Sequence, residues 1–246
     1  LVGNGGAYAP APGGNALKLA VRGDNTFQWG GSMDEVAFYT NALSGAEVAA
    51  HYAAAATNGA GYAAQILAQN PAGYWRLNEK YVTSMASDSG TRGAAGDAQY
   101  RFYSTTVDEL QAPAFPGFET TNRALQVFGT NGVVVGPTPN FDTTTATFEC
   151  MFKRDGTQKD STGIFLHGRV ETNSSPFVAG LLMATGDKLA YYWYSTNTAS
   201  AVGDSFRYVS QLIVPSNVWV YAALSVTPTR GMLCLYDGTN WAVEVN

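Results

Sequence analysis

Apolar and polar residues alternate along most of the chain, the period-two pattern of strands with one buried face. Thr147-Phe148-Glu149-Cys150-Met151-Phe152 is the clearest case: Phe148, Cys150 and Phe152 share one face, and Glu149 takes the other. Tyr74-Trp75-Arg76-Leu77 and Leu125-Gln126-Val127-Phe128 are shorter examples, and 163–166, 177–183, 188–194, 206–210, 218–225 and 232–236 read the same way. Turn signals separate them: Asn131-Gly132, Asp155-Gly156, Gly186-Asp187 and Asp237-Gly238. Short strands at roughly ten-residue intervals predict an all-β, antiparallel two-sheet sandwich. The stretch 84–122 is rich in Ser, Gly and Ala, carries Pro113 and Pro116, and reads as surface loops.

One segment breaks the alternation. Ser44-Gly45-Ala46-Glu47 has the form of a capping box, in which the Ser hydroxyl accepts from the Glu47 amide and the Glu carboxylate reaches back. An Ala-rich run follows, with Val48, His51 and Tyr52 three and four apart on one narrow face, and Thr57-Asn58-Gly59 ends it. A second short helix fits Tyr62 to Gln69 and stops before Pro71.

Composition narrows the function. Charged residues make up 13% of the 246, with 14 basic against 19 acidic and a net charge of −5; a soluble domain carries roughly 25%. With no basic run, nucleic acid is not an expected partner. No apolar stretch reaches the roughly 18 residues that a membrane helix needs, so no membrane insertion is expected. An uncharged, Gly- and aromatic-rich surface suits a secreted β protein, extracellular or at a cell surface. The two histidines, His51 and His167, leave little room for His-based catalysis or multi-His metal sites.

Three stretches together resemble the laminin-G-like, concanavalin A-like jelly-roll domains of bacterial surface proteins. Asn70-Pro71-Ala72-Gly73-Tyr74-Trp75-Arg76-Leu77-Asn78-Glu79 looks like the opening strand of such a domain, and 124–135 like its next strand pair. Gly31-Ser32-Met33-Asp34-Glu35-Val36-Ala37-Phe38-Tyr39, with Ala42-Leu43-Ser44 and its helix, looks like the closing strand and terminal helix. The order is rotated, since the closing element lies in 1–56 and the opening one follows a linker at 57–61. Joining Asn246 to Leu1 restores the family order. The resemblance therefore implies either one period of a tandem array or a sandwich completed by a neighbouring copy, with 1–56 closing one jelly roll and 62–246 opening the next. Other copies of the chain, head to tail, are the expected partners.

The resemblance also offers a structural calcium, with Asp34 of the closing strand and Asp88 of Ser87-Asp88-Ser89-Gly90 as ligands; no other cofactor is expected. A glucanase would need paired carboxylates sharing one face, yet Asp34 and Glu35 are adjacent and expected on opposite faces, and no nucleophile elbow occurs. No catalytic residue is assigned. For a glycan partner the aromatic candidates are Tyr192, Trp193 and Tyr194, where alternation puts Tyr191 with Trp193 and Tyr192 with Tyr194. Cys150 and Cys234 both fall in strands, and either pair as a disulfide or stay as buried thiols. Asn173-Ser174-Ser175 matches a glycosylation acceptor. Together these point to a non-catalytic extracellular repeat module of a surface array or filament, with a carbohydrate-binding adhesin module as the alternative.

Overall fold

The computed structural model describes residues 16–20, 29–57, 61–80, 85–101, 105–107, 115–127, 132–137, 143, 145–167, 179–194 and 205–246. Two antiparallel sheets face each other. In the first, the spatial order is β13 (Ser205–Ile213), β12 (Lys188–Tyr194), β11 (Ala179–Ala184), β10 (Thr162–His167), β1 (Ala16–Leu19), β8 (Gly132–Pro137), β5 (Ala98–Arg101), β4 (Met85–Ala86). In the second it is β16 (Trp241–Val245), β15 (Arg230–Tyr236), β14 (Val220–Thr227), β9 (Ala146–Arg154), β2 (Gly31–Tyr39), β7 (Ala124–Val127), β6 (Thr105–Val107). β3 (Gly73–Trp75) continues the β7 side of β2, pairing Val36 with Trp75. The expected two-sheet sandwich is what forms, although 84–122 supplies three short strands rather than loops alone.

β1 and β2 lie inside their sheets, β1 between β10 and β8, β2 between β9 and β7. The stretches 1–56 and 62–246 thus share both sheets of one sandwich. Helix α1 (Gly45–Ala56) starts as its capping box requires, with Ser44 Oγ accepting from Glu47 N and Glu47 Oε2 from Ser44 N. Helix α2 (Tyr62–Ala68) packs against it.

Two apolar layers result. Between the sheets lie Phe38, Trp75, Phe148, Cys150, Phe152, Phe165, Leu224 and their neighbours, with Phe148 and Phe165 edge-to-face at 5.0 Å. The other face of the second sheet is covered by the helices, which bury Val48, His51, Ala55, Tyr62 and Ile66 against Tyr39, Tyr74, Met151 and Tyr221. β2, β9 and β14 are consequently buried on both faces, so the polar member of each alternation, Glu149 above all, ends beneath the helices instead of in water.

Candidate functional site

Ionisable groups concentrate in that helix-covered layer. β9 turns Glu149 towards the helices, fully buried. Its Oε1 accepts from Tyr39 Oη at 2.8 Å and its Oε2 from Tyr221 Oη, while His51 Nδ1 on α1 stands 3.0 Å from both oxygens. The Tyr39 and His51 rings stack with centroids 6.1 Å apart. Burial, then the Glu149 charge, raises the Tyr39 and Tyr221 hydroxyls above their ordinary range, so both stay protonated donors. His51 Nε2 and Tyr62 Oη, also buried, have no hydrogen-bond partner among the described residues.

A second group adjoins the first. A bulge in β2, with Glu35 at φ 51°, places Glu35 and Val36 opposite a single residue of β9, between the Asp34–Met151 and Ala37–Glu149 pairs. The extra residue cancels the alternation, so Asp34 and Glu35 both reach the helix-covered face rather than opposite faces. Glu35 accepts from Tyr74 Oη and from Arg76, whose Nε and Nη2 lie 3.1 and 3.0 Å from Oε1. Arg76 also grips Glu119, at 3.0 and 2.6 Å. Burial pushes Glu35 up to about 7, against the pull of Arg76. Burial also acts upward on Glu119, but the Arg76 hydrogen bonds and charge outweigh it and hold that carboxyl below its usual value.

Asp34 Oδ1 accepts from Glu35 N at 2.8 Å and Oδ2 from Asn122 Nδ2 at 2.7 Å. Burial first, then the Glu35 charge, raises it well above the usual range, towards its neutral form. Asp88 Oδ1 accepts from the amides of Tyr74 and Gly90, both at 2.7 Å, tying the turn after β4 to β3. The two carboxylates share no hydrogen-bonding partner. Calcium takes roughly six to eight oxygen ligands, and these two carboxylates, each bonded to its own backbone or side-chain neighbours, do not supply such a set by themselves. Among the described residues no three His, Cys, Asp or Glu side chains are grouped to hold a metal ion.

Tyr191 lies in the inter-sheet core, and Tyr192 is half-buried on the outer face of the first sheet, as alternation requires. Tyr192 Oη meets Ser161 Oγ at 3.1 Å, and the Arg207 guanidinium, itself paired with Asp160, lies 5.6 Å from the ring centroid. The side chains of Trp193 and Tyr194 lie outside the described residues, as do Asn173-Ser174-Ser175. The disulfide reading is corrected: Cys150 and Cys234 are free buried thiols. Cys150 faces the other sheet and Cys234 the helices, with β14 between their strands. Side chains on opposite faces, two strands apart, cannot meet the close Cβ approach that a disulfide needs.

Glu149, Glu35, His51, Arg76 and Tyr221 are not among the expected site residues, and His51 is expected only to pack or to hydrogen-bond from the helix. The available signal was Glu149 itself, one acid inside Phe-Glu-Cys-Met-Phe, together with a histidine on the apolar stripe of α1. Both faces of that strand are apolar around the acid, which calls for a buried partner. No known protein family, curated protein or solved structure matches this chain. No helix among the described residues is long and apolar enough to cross a membrane.

Proposed function

We propose that this chain is a non-catalytic extracellular structural module, a jelly-roll unit that joins copies of itself head to tail in a surface array or filament. The observation that carries this reading is the interior position of β1 and β2. Without them β10, β8, β9 and β7 would each expose a row of unpaired backbone groups. A stretch separated from the opening strand by a short linker, yet required in the middle of both sheets, is one that a neighbouring copy can supply in the same registers. The burial of Glu149, Glu35 and His51 supports the non-catalytic part, because these groups spend their hydrogen bonds inside the fold, His51 and Glu149 fastening α1 to the sheet and Glu35 holding Tyr74 and Arg76 at β3. A charge content of 13% lowers repulsion between stacked copies.

Sedimentation velocity and negative-stain electron microscopy over a concentration series test the reading. Chains of regularly spaced particles that lengthen with concentration are the expected result. A protein that stays monomeric at every concentration overturns it.

The second reading, a carbohydrate-binding adhesin module, draws on Tyr192 and its polar surround of Ser161, Asp160 and Arg207. Glycan-array binding lost in Tyr192→Ala would support it, and a blank array with calcium present would remove it.

A further inference from the structure

We infer that β16 is a docking edge for a second copy of this chain, which adds its own β16 antiparallel about a two-fold axis at Val243. The inference rests on the self-association reading only in taking another copy as partner, and needs no exchange of β1 and β2.

The backbone sets the geometry. Gly231 and Asn246 exchange hydrogen bonds at 2.7 and 2.8 Å, and Asp237 N donates to Asn240 O at 3.1 Å. In an antiparallel ladder such pairs recur at every second residue. The even-numbered positions therefore bond inward to β15, and Trp241, Val243 and Val245 turn their N–H and C=O groups outward. Among the described residues no strand hydrogen-bonds along that side. An open row of backbone groups selects another strand as its partner.

The side chains select a second β16. Val243 and Val245 are 42% and 52% exposed, and Trp241 lies beside them, half-buried against the helix-covered layer. Pairing Val243 with its counterpart sets Trp241 against Val245 on both sides of the axis, so that β-branched and aromatic residues oppose one another. The only charge in the strand is Glu244, and this register places it opposite Ala242 of the partner rather than a second Glu244. Its carboxylate is also drawn back into its own copy, accepting from Gln211 N at 2.7 Å and Tyr208 Oη at 2.9 Å. The other sheet ends suit docking less well. β4 and β6 are two and three residues long, and β13 has its Gln211 amide already covered by Glu244.

The test uses the intact chain in sedimentation velocity, alone and as Val243→Lys/Val245→Lys, with circular dichroism to check the fold. Both substituted positions are exposed, so an unchanged melting temperature is expected, with dimerisation weakened about tenfold or more. Val243→Cys under mild oxidation gives an independent readout. It should cross-link to its counterpart, whereas Ala242→Cys, which points towards the other sheet, should not. If the lysine variant fails to fold, the cross-linking comparison decides alone. A folded lysine variant that associates like the parent overturns the inference, as does an absent Val243→Cys cross-link or a parent that stays monomeric. A lysine variant whose species larger than dimers keep the size distribution of the parent would overturn it while upholding head-to-tail joining.

Discussion

His51 and Glu149 face each other across the boundary between helix and sheet, the imidazole Nδ1 3.0 Å from both carboxylate oxygens and neither side chain exposed. Glu149→Ala leaves His51 and the hydroxyls of Tyr39 and Tyr221 without their common acceptor in a dry layer, which costs about 3–5 kcal/mol. His51→Ala leaves the carboxylate with two tyrosine donors and costs less. Urea midpoints should fall in that order, with the denaturant slope unchanged. Equal losses would contradict the role given to the tyrosines.

The bulge at Glu35 predicts an unusual pH dependence. Burial raises Glu35 from an ordinary 4.5 to about 7, so the folded chain holds this proton more tightly than the unfolded one. Its contribution to stability is complete in acid and is lost as pH rises from about 4.5 to about 7. Asp34, raised for the same reason, acts in the same direction. Glu119 has the opposite sign, but its lowered pKa confines its effect to more acid conditions. Melting temperature should decline across this window in the parent and run flatter in Glu35→Gln. A parent whose melting temperature climbs from pH 4.5 to pH 7 would show that Glu35 is ionised in the fold at little cost.

The fold was legible where residue chemistry is local. Ser44 and Glu47 cap α1 as the capping box requires, β12 spans the expected 188–194, and Gly186-Asp187 makes the turn before it, both residues at positive φ. The site was not legible, because it depends on two non-local facts. Alternation in β9 reports that Glu149 leaves the inter-sheet core, but not that a helix waits on the other side. The face of Glu35 is set by a bulge that Asp34-Glu35-Val36-Ala37 does not announce, since bulged and regular strands share the same residue types. Val36 and Tyr74 carry no sign of their pairing either, as β3 returns to β2 only after both helices.

The two thiols should be silent in the native state. Burial, then the nearby Glu149 charge, raises the Cys150 thiol above its ordinary range and pushes Cys234 up to about 12, so both stay in the unreactive protonated form. A thiol-specific chromogenic reagent should titrate none in the folded chain and two after denaturation without reductant. Reductant should leave the melting temperature unchanged. A count of zero in unreduced denaturant would instead reveal the disulfide that the opposite facing of the two side chains forbids.

Adjacent glycines at the start of β2 should respond oppositely to the same change. Gly31 has φ +141°, and a Cβ there would stand 2.0 Å from the carbonyl oxygen of Lys153 on β9. The obstacle is backbone and cannot swing aside, so Gly31→Ala must either push β2 off β9 or strain its own dihedrals, at a cost of about 2 kcal/mol or more. Gly30 has no such conformation, and its added Cβ would meet only the Gln158 side-chain amide at 3.8 Å, an ordinary contact. Gly30→Ala should therefore melt within a degree or two of the parent, and slightly higher if the loss of freedom in the unfolded chain dominates. Because Gly31 pairs with Arg154 on one side of β2 and Val127 on the other, its substitution also tests how tightly the inserted strand is held. Thermal melts of the two variants side by side give the answer. If Gly31→Ala is as stable as Gly30→Ala, β2 does not enter the sheet along the path described, and the close approach to Lys153 is lost with it.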